Sequence, residues 1–160
     1  METLEAIKSD YELERGKPMP SKSHGRLQAR LIGLLYVSCG QTHTIYSELS
    51  IALAPLFAKQ VPDIAVYEGL VPYSLADEIT VKVPPMLAVE IVSPTQALSE
   101  ITDKVEGYLS AGVKSCWIVL PELRSVVLST QAVHYQAFDN PATLRDAPTG
   151  IELELAQLFS

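Results

Sequence analysis

A single carboxylate interrupts an otherwise apolar run in the middle of the chain. Residues 86–92 read MLAVEIV, and Glu90 is the charged residue among them. Burying a charge of this kind is costly unless another group pairs with it. Alternate side chains of a strand share one face, so Glu90 is expected beside Met86, Ala88 and Val92. The run therefore predicts a buried strand with one reactive side chain near its end.

Two further side chains are candidates to act with Glu90. Asp63 follows Pro62 and opens the short apolar segment PDIAVY, which predicts a second strand. Lys104 lies on a predicted helix after Glu90, roughly 85° from the centre of its apolar stripe at about 100° per residue. It lies closer to that stripe than any other charged side chain of the helix. Lys104 is therefore expected to lean toward the sheet.

Two carboxylates at neighbouring strand ends repel each other unless a cation lies between them. Oxygen ligands from Asp and Glu suit Mg²⁺ or Mn²⁺, which keep several waters and accept phosphate oxygens. A nearby lysine can orient the attacking water or stabilise the charge of the transition state. Asp63, Glu90 and Lys104 are together typical of metal-dependent phosphodiester hydrolysis.

Each of these residues also has a structural interpretation. Asp63 at a strand start can be solvated or cap a turn, and Lys104 can lay its methylenes on the core and extend into solvent. Glu90 can belong to a buried ion pair with Lys104, which is weak evidence for stability and gives Asp63 no role.

The elements that position these residues are predicted from apolar spacing. Helices are expected over residues 22–38, capped by Ser21 or Ser23, and over residues 98–110, ending at Gly112. Core strands are expected at 44–54, 62–67, 86–92 and 115–120. The weaker predictions are a strand pair at 11–19 turning at Gly16, mostly loop with one helical turn at 68–85, a hairpin from 125–130 and 133–138, and a tail at 151–159 that packs back.

This order is helix, three strands, helix, strand and a trailing hairpin. It predicts an α/β fold with a mixed central β-sheet flanked by helices, in one domain covering residues 1–160. Only two well-defined helices accompany the short strands, which disfavours a doubly wound nucleotide-binding sheet.

Composition limits the functional classes. The 160 residues are 48% hydrophobic and 19% charged, as in a folded globular protein, and the net charge of −7 argues against a broad basic footprint for nucleic acid. A small basic groove stays compatible with that charge. Cys39 and Cys116 are far apart, with no His or Cys near them at metal-binding spacing, and are expected to be buried free thiols of a cytoplasmic protein; a disulfide or a zinc site is the less favoured alternative. No stretch reaches the ~20 apolar residues of a membrane span, so no membrane partner is expected.

Several motifs resemble the Uma-type family of putative restriction endonucleases. They are PD at 62–63, VEIVSPT at 89–95, DK…Y…AGV at 103–113, WIV from 117, YELERG at 11–16 and GIELELAQLF at 150–159. The resemblance covers nearly the whole chain. It implies the restriction-endonuclease-like fold of the PD-(D/E)xK nucleases, with its αβββαβ core, and hydrolysis of DNA with Mg²⁺ or Mn²⁺.

Carried over by position, the resemblance makes Asp63 and Glu90 the metal ligands. The lysine of the parent motif falls at Val92, and Lys104 on the following helix is its substitute. Glu12 matches a glutamate that completes the metal shell, and His24 matches a histidine near the start of the first helix. Both are supporting members of the predicted site.

Two departures from the family pattern leave an alternative open. An arginine of the motif DR..K is absent at residues 100–104, and Val-Leu-Pro replaces VDP at 119–121. The alternative is a catalytically inactive nuclease-fold domain that binds or regulates. For an active enzyme, a homodimer is expected, because two copies of a one-site domain cleave both strands of a duplex most simply.

Overall fold

The structure is a computed structural model that describes residues 10–15, 19–53 and 57–160. Its helices are α1 (Asp10–Arg15), α2 (Lys22–Cys39), α3 (Leu98–Ser110) and α4 (Leu155–Leu158). Its strands are β1 (His43–Ser47), β2 (Ile51–Leu53), β3 (Phe57–Gln60), β4 (Ile64–Glu68), β5 (Leu87–Ile91), β6 (Ser115–Leu120), β7 (Ser125–Gln131), β8 (His134–Asp139), β9 (Thr143–Asp146) and β10 (Ile151–Glu154). None of the described helices is long and apolar enough to cross a membrane.

Six strands form one mixed sheet in the order β1-β4-β5-β6-β7-β8. Only β5 and β6 run parallel, joined by α3, and the other neighbours are antiparallel. All five residues of β5 are buried, as expected for a strand covered on both faces. The ribbons β2–β3 and β9–β10 lie outside this sheet. The predicted α/β fold with a helix-flanked mixed sheet is confirmed.

The two long helices cover opposite faces of the sheet. α2 buries Leu31 and Leu35 in a cluster that includes Val89 of β5. α3 buries Ile101 and Val105 in a second cluster that includes Ala88. Alternation along β5 therefore turns Glu90 toward the α3 side.

The ends of both helices follow from local sequence. The hydroxyl oxygen of Ser21 accepts a hydrogen bond from the His24 N–H at 3.2 Å, so Ser21 is the N-cap of α2. After α3, Gly112 has φ +105°, which side chains rarely adopt, and this glycine ends the helix as predicted. Strand 115–120, the hairpin and the returning tail are also confirmed.

Several predictions of local structure were wrong. The strand pair at 11–19 is contradicted, because Asp10–Arg15 is helical with acidic residues favouring its first turn, while residues 16–18 lie outside the described part of the chain. The single strand predicted over 44–54 is two strands, because β1 ends before Glu48 and β2 begins at Ile51. Residues 68–85, all described, contain no helical turn. Met86 precedes β5 and packs on the α2 side rather than with Glu90.

The strands β3 and β9 were not predicted. β9 is held on the core by Asp146, whose two carboxylate oxygens accept hydrogen bonds from the Ser115 hydroxyl at 2.7 Å and the Trp117 indole at 2.8 Å. This buried network anchors the second ribbon to β6.

Candidate active site

Strand pairing brings three carboxylate residues together at the neighbouring ends of β1, β4 and β5. Ser47 lies opposite Ile64, and Ile64 lies opposite Val89. If each register is continued by one residue, Glu48 lies opposite Asp63 and Asp63 lies opposite Glu90. The Glu48 N–H donates to the Asp63 carbonyl at 3.1 Å, which holds the first two backbones together. All three residues line one cleft.

Asp63 is fixed from two directions and is only 1% exposed. Its Oδ2 accepts a hydrogen bond from the Ile91 N–H at 2.7 Å, and its Oδ1 lies 3.2 Å from the His24 Nε2. The Gln28 side-chain amide of α2 also donates to the Asp63 carbonyl at 2.9 Å. A charge-assisted bond to a backbone N–H strongly favours one carboxylate orientation. Asp63 is therefore preorganised.

Glu90 is 3% exposed and is contacted by two residues of α3. Its Oε1 accepts a hydrogen bond from the Tyr108 hydroxyl at 2.9 Å and lies 3.9 Å from the Lys104 Nζ, whose side chain is 18% exposed. Burial, followed by the Glu90 charge, raises the pKa of Tyr108 well above its usual range. The hydroxyl therefore remains a donor to Glu90.

The predicted supporting residues have different positions. His24 lines the cleft and is 7% exposed, with Nε2 on Asp63 and a buried Nδ1 that has no hydrogen-bond partner in the described part of the chain. Glu12 is half-buried on α1 and is not among the residues that line the cleft. Its neighbour Tyr11 does line the cleft, and its hydroxyl donates to the Glu48 Oε1 at 3.2 Å.

Sequence reasoning missed Glu48 and the polar role of Tyr108. Glu48 was placed within one long predicted strand, whereas the structure gives it φ +50° in the turn after β1. Non-glycine residues in this conformation are uncommon and occur often at functional sites. Tyr108 lies on the buried stripe of α3 with Ile101 and Val105. A buried tyrosine hydroxyl needs a partner, and that requirement was the available signal.

The donor set suits a hard divalent cation in its chemistry. Carboxylate oxygens of Asp63 and Glu90, with Glu48 at the same cleft, are the ligand type that Mg²⁺ and Mn²⁺ prefer. Within the described residues, however, no three His, Cys, Asp or Glu side chains gather closely enough to hold a metal ion. The carboxylate oxygens are therefore suitable ligands for such a cation, although the described residues do not form a closed three-ligand site.

A solved structure shares this fold. A crystal structure described as a putative nuclease belonging to DUF820 from Anabaena variabilis matches with a TM-score of 0.76 and 22% identity. The match covers 89% of this chain and 83% of that one. The likeness establishes the restriction-endonuclease-like fold. No curated protein matches the chain.

The sequence profile of one family matches residues 3–156, nearly the whole chain. Its description is "Putative restriction endonuclease". This match agrees with the predicted resemblance and with the nuclease-like fold. The chain belongs to the Uma2 family.

Proposed function

We propose that the chain is a metal-dependent endonuclease that hydrolyses DNA phosphodiester bonds in the cleft lined by Glu48, Asp63 and Glu90. The observation that carries this proposal is the alignment of Glu48, Asp63 and Glu90 at three neighbouring strand ends, with Lys104 beside Glu90. Family membership supports nuclease activity. Metal dependence and the assignment of residues are part of the proposal.

Asp63 and Glu90 would hold the cation, and Glu48 is a further oxygen donor at the same edge. A bound Mg²⁺ or Mn²⁺ supplies a Lewis acid for the phosphate and lowers the pKa of a coordinated water. The Ile91 N–H and His24 orient Asp63, while Tyr108 orients Glu90. These contacts fix the ligand carboxylates before substrate binds.

Lys104 takes the role of the motif lysine. Val92, at the parent position, is a half-buried residue packed against the α3-side cluster. The Lys104 ammonium lies 3.9 Å from the Glu90 Oε1, so it reaches the same carboxylate from the helix. There it can orient a water and stabilise negative charge developing on the phosphate. Glu12 stays a proposed supporting residue, through the contact that its helix makes with the cleft at Tyr11.

We further propose a homodimer acting in the cytoplasm, with the chain forming one domain. Cys39 and Cys116 are buried free thiols, and burial raises the pKa of both, as suits unreactive thiols in a reducing compartment. Two copies would place one cleft on each strand of a duplex.

One specific observation favours a second candidate, an inactive nuclease-fold domain. Both buried carboxylates already have protein partners, and the described residues form no three-ligand metal cluster. In that case the Glu90–Lys104 and Asp63–His24 contacts are structural. Metal binding separates the two candidates directly.

The test is Mn²⁺ titration by calorimetry together with plasmid nicking, in the wild type and in Asp63→Asn and Glu90→Gln. Both substitutions keep the side-chain volume and remove the charge. The proposed function predicts that metal binding and nicking are lost in both variants while thermal unfolding stays cooperative. Absence of metal binding and nicking in the folded wild type would establish the inactive alternative.

A further inference from the structure

A second groove opens directly from the catalytic cleft. It is lined by the first turn of α2 and by residues that follow β5 and β6, and it shares His24, Ser93 and Gln96 with the cleft. A polynucleotide whose reacting phosphate lies between Asp63 and Glu90 would therefore enter this groove with its adjoining nucleotides.

Two buried polar atoms mark this junction. The Ser93 hydroxyl belongs to a residue that is 8% exposed, and the His24 Nδ1 to one that is 7% exposed. Neither atom has a hydrogen-bond partner in the part of the chain that the structure describes. Buried polar groups are normally bonded, because leaving them unpaired is costly. Both residues line the groove and the cleft, which is the arrangement expected where a bound ligand supplies the partner.

The start of α2 adds electrostatic attraction for an anion. The hydroxyl and carbonyl of Ser21 accept from the N–H groups of His24 and Gly25, respectively. The N–H groups of Lys22 and Ser23 remain at the positive end of an 18-residue helix. The first turn contains no acidic residue to neutralise them, and Lys22 itself carries an exposed ammonium. Phosphates bind readily at such helix starts.

Basic residues continue from this helix start along one face of α2. Lys22, Arg26 and Arg30 are spaced four residues apart, so they lie in one row spanning about 12 Å. The depression around Arg26, Arg30 and Arg124 shares Ser23 and Pro121 with the groove. This basic row stands out in a chain with a net charge of −7.

Neighbouring groups limit how the basic row is used. The Arg30 guanidinium donates to the carbonyls of Gln157 and Ser160, and the Arg26 guanidinium donates to the Ser160 carbonyl at 3.4 Å. Arg30 therefore anchors the end of the chain at α4 more closely than Arg26 does. Glu122 is an acidic member of the groove lining. Lys22 and Arg26 are exposed whereas Arg30 is half-buried, so Lys22 and Arg26 are the cations best suited to direct phosphate contact.

We propose that the start of α2 and Ser93 bind the phosphate next to the scissile one. The row Lys22–Arg26–Arg30 then carries the following phosphates of the same DNA strand. This inference rests on the proposed nuclease function, whose substrate it positions. It gives the acidic chain a defined, narrow DNA path that begins at the cleft.

The test is the salt dependence of binding to a short fluorescein-labelled DNA duplex, measured by anisotropy with Ca²⁺ present. The wild type is compared with Lys22→Gln/Arg26→Gln and with the control Lys59→Gln/Lys82→Gln, which removes the same charge from exposed residues elsewhere. Each lost phosphate contact makes the negative slope of log affinity against log salt shallower by about 0.9. The slope is expected to become shallower by about 1.8 in the α2 variant and to stay almost unchanged in the control.

Ser93→Ala provides a second variant with a different signature. Loss of one neutral hydrogen bond should weaken DNA binding by roughly 5-fold without changing the salt slope. Thermal unfolding of every variant is measured to confirm that it is folded. The proposal is overturned if the wild type does not bind DNA, if the slope is unchanged in the α2 variant, or if the control loses as much.

Plasmid nicking measured alongside distinguishes this proposal from the proposed function. A reduced salt slope with no nicking by the wild type supports the DNA path and contradicts the nuclease assignment. Nicking by the wild type, with DNA binding unaffected by Lys22→Gln/Arg26→Gln, supports the nuclease and overturns the path.

Discussion

Replacing Tyr108 with phenylalanine removes one hydroxyl group from the buried side of Glu90. That hydroxyl donates to the Glu90 Oε1 at 2.9 Å, and the Lys104 ammonium is more distant, at 3.9 Å. Hydrogen bonds to charged groups contribute about 1.5–3 kcal/mol, so Tyr108→Phe should lower the free energy of unfolding by about 2 kcal/mol. In a chain of this size each kcal/mol shifts Tm by about 2–4 °C.

The pH dependence of this effect has a definite sign. The pKa of Tyr108 is raised well above 10 in the folded chain, chiefly by burial. Below about pH 10 the phenol is neutral in both states, and its stabilising contribution is fully present. At higher pH the unfolded chain loses the phenolic proton first, so the contribution declines as pH rises toward the folded-state pKa. The difference between wild type and Tyr108→Phe should therefore shrink above about pH 10.

Urea unfolding at neutral and alkaline pH measures both effects. Tyr67→Phe is the matched control, because the Tyr67 hydroxyl donates to a neutral carbonyl, that of Val83, at 2.8 Å. Its loss should cost only about 1 kcal/mol. If Tyr108→Phe costs no more than Tyr67→Phe at neutral pH, the charge-assisted bond to Glu90 does not contribute as reasoned. Mn²⁺ affinity should also fall about 10-fold in Tyr108→Phe, because the ligand carboxylate loses its orienting partner.

Two other substitutions test the proposed site. Lys104→Met should reduce plasmid nicking at least about 100-fold while the protein stays folded. The control Lys114→Met, which breaks a surface pair with Glu68, should leave nicking unchanged. Equal effects of the two substitutions would exclude a specific role for Lys104. Glu48→Gln should weaken Mn²⁺ binding about 10-fold in calorimetry, and Glu122→Gln should not; unaltered binding in Glu48→Gln would remove Glu48 from the proposed ligand set.

The core of the fold was predictable because its elements have strong and unambiguous periods. α3 has the predicted bounds, residues 98–110, since its apolar stripe and terminal glycine agree with each other. β5 was predicted from the run at residues 86–92, which is apolar apart from Glu90. Short segments were less predictable: six residues at Asp10–Arg15 fit either a strand or a helix, and only their tertiary surroundings decide between them.

The candidate site was predictable where a residue's type conflicted with its setting. A glutamate in an apolar run indicated Glu90, and the structure places it in the same cleft as Asp63 and His24. Glu48 gave no such signal, because alternation continued across it into β2. Its position at the strand end depends on a backbone turn with positive φ, which sequence alternation does not reveal.

On the proposed assignment, the reactive groups belong to two mechanically separate parts. The sheet's hydrogen-bond register sets the spacing of Asp63 and Glu90, whereas Lys104 arrives with α3, whose seating depends on side-chain packing at Ile101 and Val105. The spacing of the two carboxylates and the position of the Lys104 ammonium can therefore change independently. Core substitutions beneath α3, remote from the cleft, would then shift Lys104 while leaving Asp63 and Glu90 in place. Related enzymes would then differ in catalytic rate through core substitutions while their site residues stay the same.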